Sequence, residues 1–493
     1  MNVGPVHVDA LDGGAVDVDV AIVGAGFAGL GMAVQLARRG RESFVVLERA
    51  REVGGTWRDN VYPGVACDVP SHLYSLSFAP KHDWSRIYAG GAEIQQYLRD
   101  VVRDEGLRPH LRFGAEMLTA RWDGRWTVET TAGTVRARVL VMAAGRLSEP
   151  RIPDFPGLAD FPGPVFHSAQ WDPSAQLDGL RIGVCGSGAS AVQIAPHLAE
   201  RAGHLVLFQR SAPWIVPRRD REYTPAEREA FARDPASARR LRAELFTAAD
   251  RNVAQRFGAR PAIDELRDLA LGHLAAQVPD AALRARLTPD YEIGCKRVLL
   301  SDDFYPTVTR PDVTLVSAAL ERLEGRTAVA RNGDRHELDA LVLATGFLAA
   351  EAPFAGRVTG RDGIRLADHW SRGMTSYAST VVSGFPNLFV LDGPNASLGH
   401  NSAIHMIETQ IDYVRGALDH LAAHPGAELE VTPAAERAYT RDIDARSART
   451  VWLRGGCRSW YVDPRSGRLT LLWPGSAQSF RDLNGTFDPA PYR

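Results

Sequence analysis

Two six-residue stretches of this chain carry glycines at a spacing that suits backbone to phosphate. Gly24-Ala25-Gly26-Phe27-Ala28-Gly29 follows the apolar run from Val18 to Val23 and precedes a helical stretch ending in Arg38-Arg39-Gly40. Gly186-Ser187-Gly188-Ala189-Ser190-Ala191 follows the run from Arg181 to Cys185 and precedes a helical stretch through about Glu200. Strand, glycine turn and helix in this order make a dinucleotide cradle. Gly24 permits the tight turn, Gly26 lets backbone approach a pyrophosphate, and Gly29 lets the helix pack on the strand with its N-terminus toward the phosphate charge.

A second strand closes each unit. Phe44 to Leu47 ends in Glu48, and Leu205 to Gln209 ends in Arg210; from Gly24 to Glu48 and from Gly186 to Arg210 the interval is the same, 24 residues. A carboxylate there accepts hydrogen bonds from a ribose diol, whereas a cation suits a 2′-phosphate. The first unit is therefore expected to hold FAD and the second NADP+ or NADPH, the latter on Gly186, Ser187, Gly188, Ala189, Ser190 and Arg210. One glycine turn alone could merely join a strand to a helix, and Arg210 alone could be a solvated surface arginine. Two units in register argue for two cofactor sites.

These units need a scaffold of more than one core. The chain has 493 residues, 45% of them hydrophobic, enough for two or three domains. Two further apolar strands end in small-residue turns, Val139 to Met142 before Ala143-Ala144-Gly145 and Leu341 to Leu343 before Ala344-Thr345-Gly346-Phe347, and they look like exits between domains. The expected architecture is α/β, with two Rossmann-like dinucleotide domains and the NADP domain inserted in the FAD domain. Its boundaries fall at a loose tail over 1–17, FAD-domain segments at 18–145 and 341–493, and the NADP domain at 146–340. Within the insert, residues 223–287 are rich in Arg, Ala and Leu at helical spacing, which predicts a helical subdomain over the active site.

Charge and cysteine usage narrow the partners. With 57 Lys and Arg against 59 Asp and Glu, the net charge of −2 gives no reason to expect nucleic acid or an anionic membrane. The four cysteines, Cys67, Cys185, Cys295 and Cys457, have neither a disulfide-scaffold spacing nor a Cys-x-x-Cys pair for metal or redox relay, and are expected to be separate thiols suited to the cytoplasm. No apolar run is long enough to span a bilayer, and the N-terminus has no cationic start or apolar core of a leader. Small-molecule ligands are expected; oligomeric state is not readable.

Between the two units lies Phe161-Pro162-Gly163-Pro164-Val165-Phe166-His167-Ser168-Ala169-Gln170-Trp171-Asp172. It resembles the Phe-x-Gly-x-x-x-His-x-x-x-Trp-(Pro or Asp) fingerprint of type I Baeyer–Villiger monooxygenases, matching at Phe161, Gly163, His167, Trp171 and Asp172. Gly54-Gly55-Thr56-Trp57, continuing through Tyr62-Pro63-Gly64 to Asp68, is similar to that family's signature near the flavin. Cys295-Lys296-Arg297, Gly393-Pro394-Asn395, Gly399-His400-Asn401 and Cys457 to Tyr461 extend the likeness. The chain departs at Gly467-Arg468-Leu469, where many relatives have a polar residue in place of leucine.

The resemblance implies that NADPH reduces FAD, that O2 adds at the flavin C4a position, and that the resulting peroxide attacks a ketone to yield an ester or lactone. It places Arg297 as the catalytic cation, held by Asp68, and puts Gly55, Thr56, Trp57 and Asp68 beside the flavin. Lys296 joins Arg210 and Ser211 on the 2′-phosphate. Trp460 lies on the nicotinamide side, although it and Trp171 also fit packing roles. His167 fits either a cofactor contact or a hydrogen-bonding role in the interdomain linker. Relatives that oxygenate nitrogen or sulfur share the architecture, and Trp171-Asp172 favours the ketone oxygenators; a flavin-dependent disulfide reductase would need a redox cysteine pair.

Overall fold

Apolar runs without alternation become strands buried on both faces, and those with alternation become strands with one wet face. The first kind builds the centre of both sheets in the computed structural model, which describes residues 15–493. In the first sheet, Gly133–Met142, Val16–Val23, Phe44–Glu48 and Leu111–Phe113 lie side by side and parallel. All five residues of Phe44–Glu48 are buried. Met117–Trp122 and Trp126–Thr130 form an antiparallel hairpin at the other side, alternating buried and exposed, with Trp122 opposite Trp126.

The chain then leaves for a second sheet and returns. The second sheet is wholly parallel, in the order Val313–Val316, His204–Phe208, Arg181–Cys185, Ala340–Leu343, Val165–His167. On its return the chain adds Val358–Thr359 to the edge of the first sheet and pairs Leu388–Val390 with Gly133–Met142. The α/β architecture with one nucleotide fold set inside the other is thus the one expected from sequence.

Two details differ. The first strand begins at Val16, inside the expected tail, whose residues 1–14 lie outside the described residues. Ala340–Leu343 pairs with Arg181–Cys185, so the chain quits the second sheet after Leu343 rather than at 341. An apolar strand ending in a small-residue turn reads alike on either side of such a crossing; only its pairing assigns it.

Helices cover the sheets where small residues allow close approach. Phe27–Ala37 packs against the long helix Ala403–Ala423, and a Cβ on Gly31 would stand 3.0 Å from Ile411 Cδ1. That helix in turn orients the loop after Leu388–Val390: Gln410 donates to the Val390 carbonyl at 3.1 Å and accepts from the Asp392 N–H at 2.8 Å. Residues 223–287 are helical, with Pro225–Arg233, Pro235–Arg251, Val253–Arg256, Ala262–Gln277 and Ala281–Leu287. No helix among the described residues is long and apolar enough to cross a membrane.

Candidate active site

Both glycine turns open into one cavity of about 1550 Å³, larger than a typical small-ligand pocket. The two turns are built alike. Gly24 has φ +108° and a Cβ there would lie 2.4 Å from the Ala143 carbonyl oxygen; Gly186 has φ +124° and its Cβ would lie 2.3 Å from that of Ala344. Each glycine thus sits against the small-residue turn at the exit of a neighbouring strand, where no side chain fits. The middle glycines face open space instead: a Cβ on Gly188 meets nothing within 4 Å, and one on Gly26 only the Gly55 Cα at 3.8 Å. Room for a phosphate is kept where a dinucleotide needs it.

The flavin-side residues named from sequence gather here. Glu48 is buried and accepts from the Ala25 and Ala50 N–H groups, both at 2.9 Å, with Arg58 3.0 Å from it. These contacts tie the strand end to the glycine turn, and the carboxylate has further acceptor sites for a ribose. Gly54 donates to the Ala25 carbonyl at 3.0 Å, which pins Gly55, Thr56 and Trp57 beside the same turn. Gly55, Thr56 and Trp57 all line the cavity.

In the same lining, Lys296 donates to Ser211 Oγ at 2.8 Å and lies over the Tyr291 ring. Arg210 is exposed where it lines the cavity, with no carboxylate paired to it among the described residues, and its charge, after burial, helps push the Lys296 ammonium below its ordinary value. Two cations that make no ion pair among the described residues, with the charge of Asp290 acting on Lys296 from farther off, suit a phosphate dianion. Arg210→Ala should therefore weaken NADPH binding about tenfold and narrow the preference over NADH, read from the two KM values. Equal use of both nicotinamides by the wild type would sink this assignment.

Arg297 Nε donates to Asp68 Oδ2 at 2.6 Å. About a third of the guanidinium side chain, 33%, stays open, and since the pair lines the cavity it is there that this surface faces. Burial alone would raise the Asp68 carboxyl, but the charge and hydrogen bond of Arg297 outweigh it and hold the group below its usual range. Asp68 in turn raises the guanidinium further above neutrality, against the effect of burial. The result is a permanent cation with a fixed plane.

The fingerprint residues do not line the cavity. His167 is fully buried at the end of Val165–His167, where Nδ1 accepts from the Ala169 N–H at 3.1 Å and the ring meets Phe347 edge-on at 5.5 Å. A Cβ on Gly163 would stand 2.0 Å from the Asp339 carbonyl oxygen, and Phe161 is buried. Trp171 packs edge-on against Phe166 at 4.8 Å, and Asp172 is an exposed turn residue that accepts from the Ser174 N–H and hydroxyl. Of the two roles open to His167, the linker role has the contacts.

Two sequence expectations are corrected. Residues 223–287 supply no cavity wall. The helical segment instead braces the wall from behind, through Asp250, which accepts from Asn401 Nδ2 at 3.3 Å, and Arg256, which donates to the Gly399 carbonyl at 3.0 Å. The four thiols are not separate either: Cys295 and Cys457 are joined by a disulfide across 162 residues, and only Cys67 and Cys185 are free. Spacing cannot reveal a pair made by tertiary folding, and the inference from free thiols to the cytoplasm loses its basis. The bond ties the Lys296-Arg297 loop to the segment carrying Trp460 and Tyr461. Cys457→Ser should cost about 2–4 kcal/mol, seen as a lower thermal midpoint. A midpoint unmoved by that change and by thiol reductant would show that the bond contributes nothing.

A part-buried pair escapes the sequence motifs. Arg146, at the exit of the first sheet, hydrogen-bonds Asp392, and both line the cavity. Burial raises the Asp392 carboxyl in spite of that arginine. Its signal is present, since Asp392 comes shortly after Leu388–Val390 as Glu48 closes its own strand.

A cavity shared by two dinucleotide turns, with a fixed cation between them, defines an oxidoreductase of the two-nucleotide class. Residues 21–234 match the family model described as pyridine nucleotide-disulphide oxidoreductase. A Baeyer–Villiger monooxygenase of Streptomyces coelicolor is 46% identical over 97% of this chain and 92% of its own length, and one of Pseudomonas aeruginosa is 40% identical over 96% and 90%. Among solved structures, cyclohexanone monooxygenase from Rhodococcus sp. Phi1 bound to NADP+ superposes with TM-score 0.84 at 28% identity, over 95% of this chain and 97% of that one. Steroid monooxygenase bound to NADP superposes with TM-score 0.83 at 32% identity, with the same coverage. The chain belongs to the Baeyer–Villiger monooxygenase family, and is a flavoprotein monooxygenase.

Proposed function

We propose that this chain binds FAD and NADPH and inserts one oxygen atom of O2 beside a ketone carbonyl, forming an ester or lactone, with Arg297 as the catalytic cation and Asp68 as its positioning partner. The observation that carries this reading is the Arg297–Asp68 pair, two residues 229 apart in sequence brought to 2.6 Å on the wall of the cavity that both glycine turns enter. Bound FAD activates O2 with electrons supplied by NADPH. The protein's own part is charge, position and exclusion of water.

Gly24, Gly26, Gly29, Glu48, Gly55, Thr56 and Trp57 would hold FAD. Gly186 to Ser190, Arg210, Ser211, Lys296 and Trp460 would hold NADPH, with Trp460, 45% exposed, at the rim. The segments 18–145 and 341–493 then form the FAD domain and 146–340 the NADP domain, with Ala340–Leu343 assigned to the latter by its pairing. Arg297 stays cationic at any working pH, so it can stabilise negative charge on the reacting oxygen without giving up a proton. The Cys295–Cys457 disulfide does not favour a disulfide reductase, because neither sulfur's residue lines the cavity.

A panel of linear, cyclic, aromatic and polycyclic ketones, with a thioether added, tests the reading by mass-spectrometric product detection. Ester or lactone with NADPH consumed in step is the expected result. Sulfoxide without ester would move the enzyme to the heteroatom oxygenators, and NADPH oxidation giving only hydrogen peroxide with every compound would overturn ketone insertion.

A further inference from the structure

Tyr461 lines the cavity with Arg297, and its chemistry is still unused. The residue is almost fully buried at 2% exposure and lines the cavity, and its hydroxyl makes no hydrogen bond to another described residue. Buried phenols normally find a partner for their O–H. A tyrosine that keeps its hydroxyl free on the wall of a reaction cavity is poised to give it to a ligand.

The surroundings hold that hydroxyl in place. The Tyr461 carbonyl accepts from the Thr470 N–H at 3.3 Å, its own N–H donates to Ser459 Oγ at 3.3 Å, and the next residue, Val462, bridges to Leu469. The Cys295–Cys457 bond fastens this segment to the loop of Arg297. Arg256 is buried as well, donates to the Gly399 carbonyl and has no carboxylate partner among the described residues. Burial pushes its guanidinium down to about 10, which still leaves it charged at neutral pH.

The electrostatics suit a donor. Burial, with a smaller push from Asp68, raises the Tyr461 phenol above its ordinary value while Arg297, Arg256 and Arg146 act against that rise, so the group stays protonated among three cations. Such a group can stabilise growing charge on an oxygen without ionising.

We propose that Tyr461 is a second hydrogen-bond donor of the reaction centre, directing its phenolic O–H to the carbonyl oxygen of the bound ketone beside the charge of Arg297. The hydrogen bond strengthens as that oxygen gains negative charge, and the proton stays on Tyr461 throughout. This rests on the reading of the chain as a ketone oxygenase and adds the group that recognises the carbonyl.

The test uses FAD-loaded wild type and Tyr461→Phe, with cyclohexanone and its isostere methylenecyclohexane as probes. Binding to the oxidised holoenzyme is followed by flavin difference absorbance, and ester by mass spectrometry. Tyr461→Phe should bind cyclohexanone about tenfold more weakly, bind the alkene as before, and form ester about 100-fold more slowly. If Tyr461→Phe fails to retain FAD, the infrared carbonyl stretch of carbon-13-labelled cyclohexanone is read in the wild type and in Arg297→Ala; a downshift that survives loss of Arg297 is expected, and a free-ketone frequency in both overturns the proposal. Wild type that makes ester while Tyr461→Phe matches its rate and its carbonyl discrimination overturns the role of Tyr461 alone. Wild type that makes no ester and does not distinguish the two probes overturns this proposal together with the functional reading.

Discussion

Arg297→Ala should fold, retain FAD and still oxidise NADPH, yet form ester about 100- to 1000-fold more slowly, a loss of roughly 2.7–4 kcal/mol of transition-state stabilisation. Alanine removes a preorganised cation from a partly closed cavity, where water cannot replace it at full strength. Hydrogen peroxide should rise as ester falls, since activated oxygen then lacks a stabilised path to product. Asp68→Ala should act in the same direction, because an arginine without its carboxylate loses its fixed plane and becomes costly to bury. Since Arg297 depresses the Asp68 carboxyl, the stability this pair lends is present above the ordinary carboxylate range and is lost as pH falls through the depressed value. The stability difference between wild type and Arg297→Ala, full at neutral pH, should therefore shrink as pH falls through the carboxylate range, read from unfolding midpoints at neutral and acid pH. A folded, FAD-loaded Arg297→Ala enzyme with wild-type ester formation would rule out this cation and make Lys296 the next residue to test.

Gly29→Ala should abolish stable FAD retention. A Cβ at Gly29 would lie 1.8 Å from the Gly24 carbonyl oxygen, a contact with backbone that no rotamer change can relieve. The helix Phe27–Ala37 would have to move off the glycine turn, away from the strand it covers and from the phosphate its N-terminus faces. Overpacking of this kind costs about 3 kcal/mol or more, a large share of a domain's stability. Gly188→Ala supplies the contrast, because its Cβ meets no protein atom within 4 Å. That variant should stay yellow and fully folded, while its methyl group intrudes on the second dinucleotide and raises the KM for NADPH about tenfold, or about 1.4 kcal/mol. Wild-type colour and thermal midpoint in Gly29→Ala would mean that the close approach of helix and turn is not required.

Features encoded in neighbouring residues are legible from the amino-acid order alone. The glycine turns, the strands ending in Glu48 and Arg210, and the helical character of 223–287 depend on local order, which short stretches of chain express directly. Arg297 and Asp68 stand out through motifs rather than geometry, and their closeness arises only because residues 229 apart meet in the cavity.

Other features have no local signature, because they exist only between distant segments. Nothing in the spacing of Cys295 and Cys457 distinguishes a bond from two thiols; the fold does, by laying the Arg297 loop on the C-terminal segment. Ala340–Leu343 carries the same apolar pattern whichever sheet it joins, so its hydrogen-bonded neighbours assign it. The helical segment from 223 to 287 could roof the site or brace it, and packing of Asp250 and Arg256 behind the 399–401 loop decides for bracing. Tyr461 becomes distinctive for the same reason. A tyrosine in sequence is one of twelve, and only burial, a hydroxyl without a partner among the described residues and the charges of Arg146, Arg256 and Arg297, each contributed by a different part of the chain, single it out.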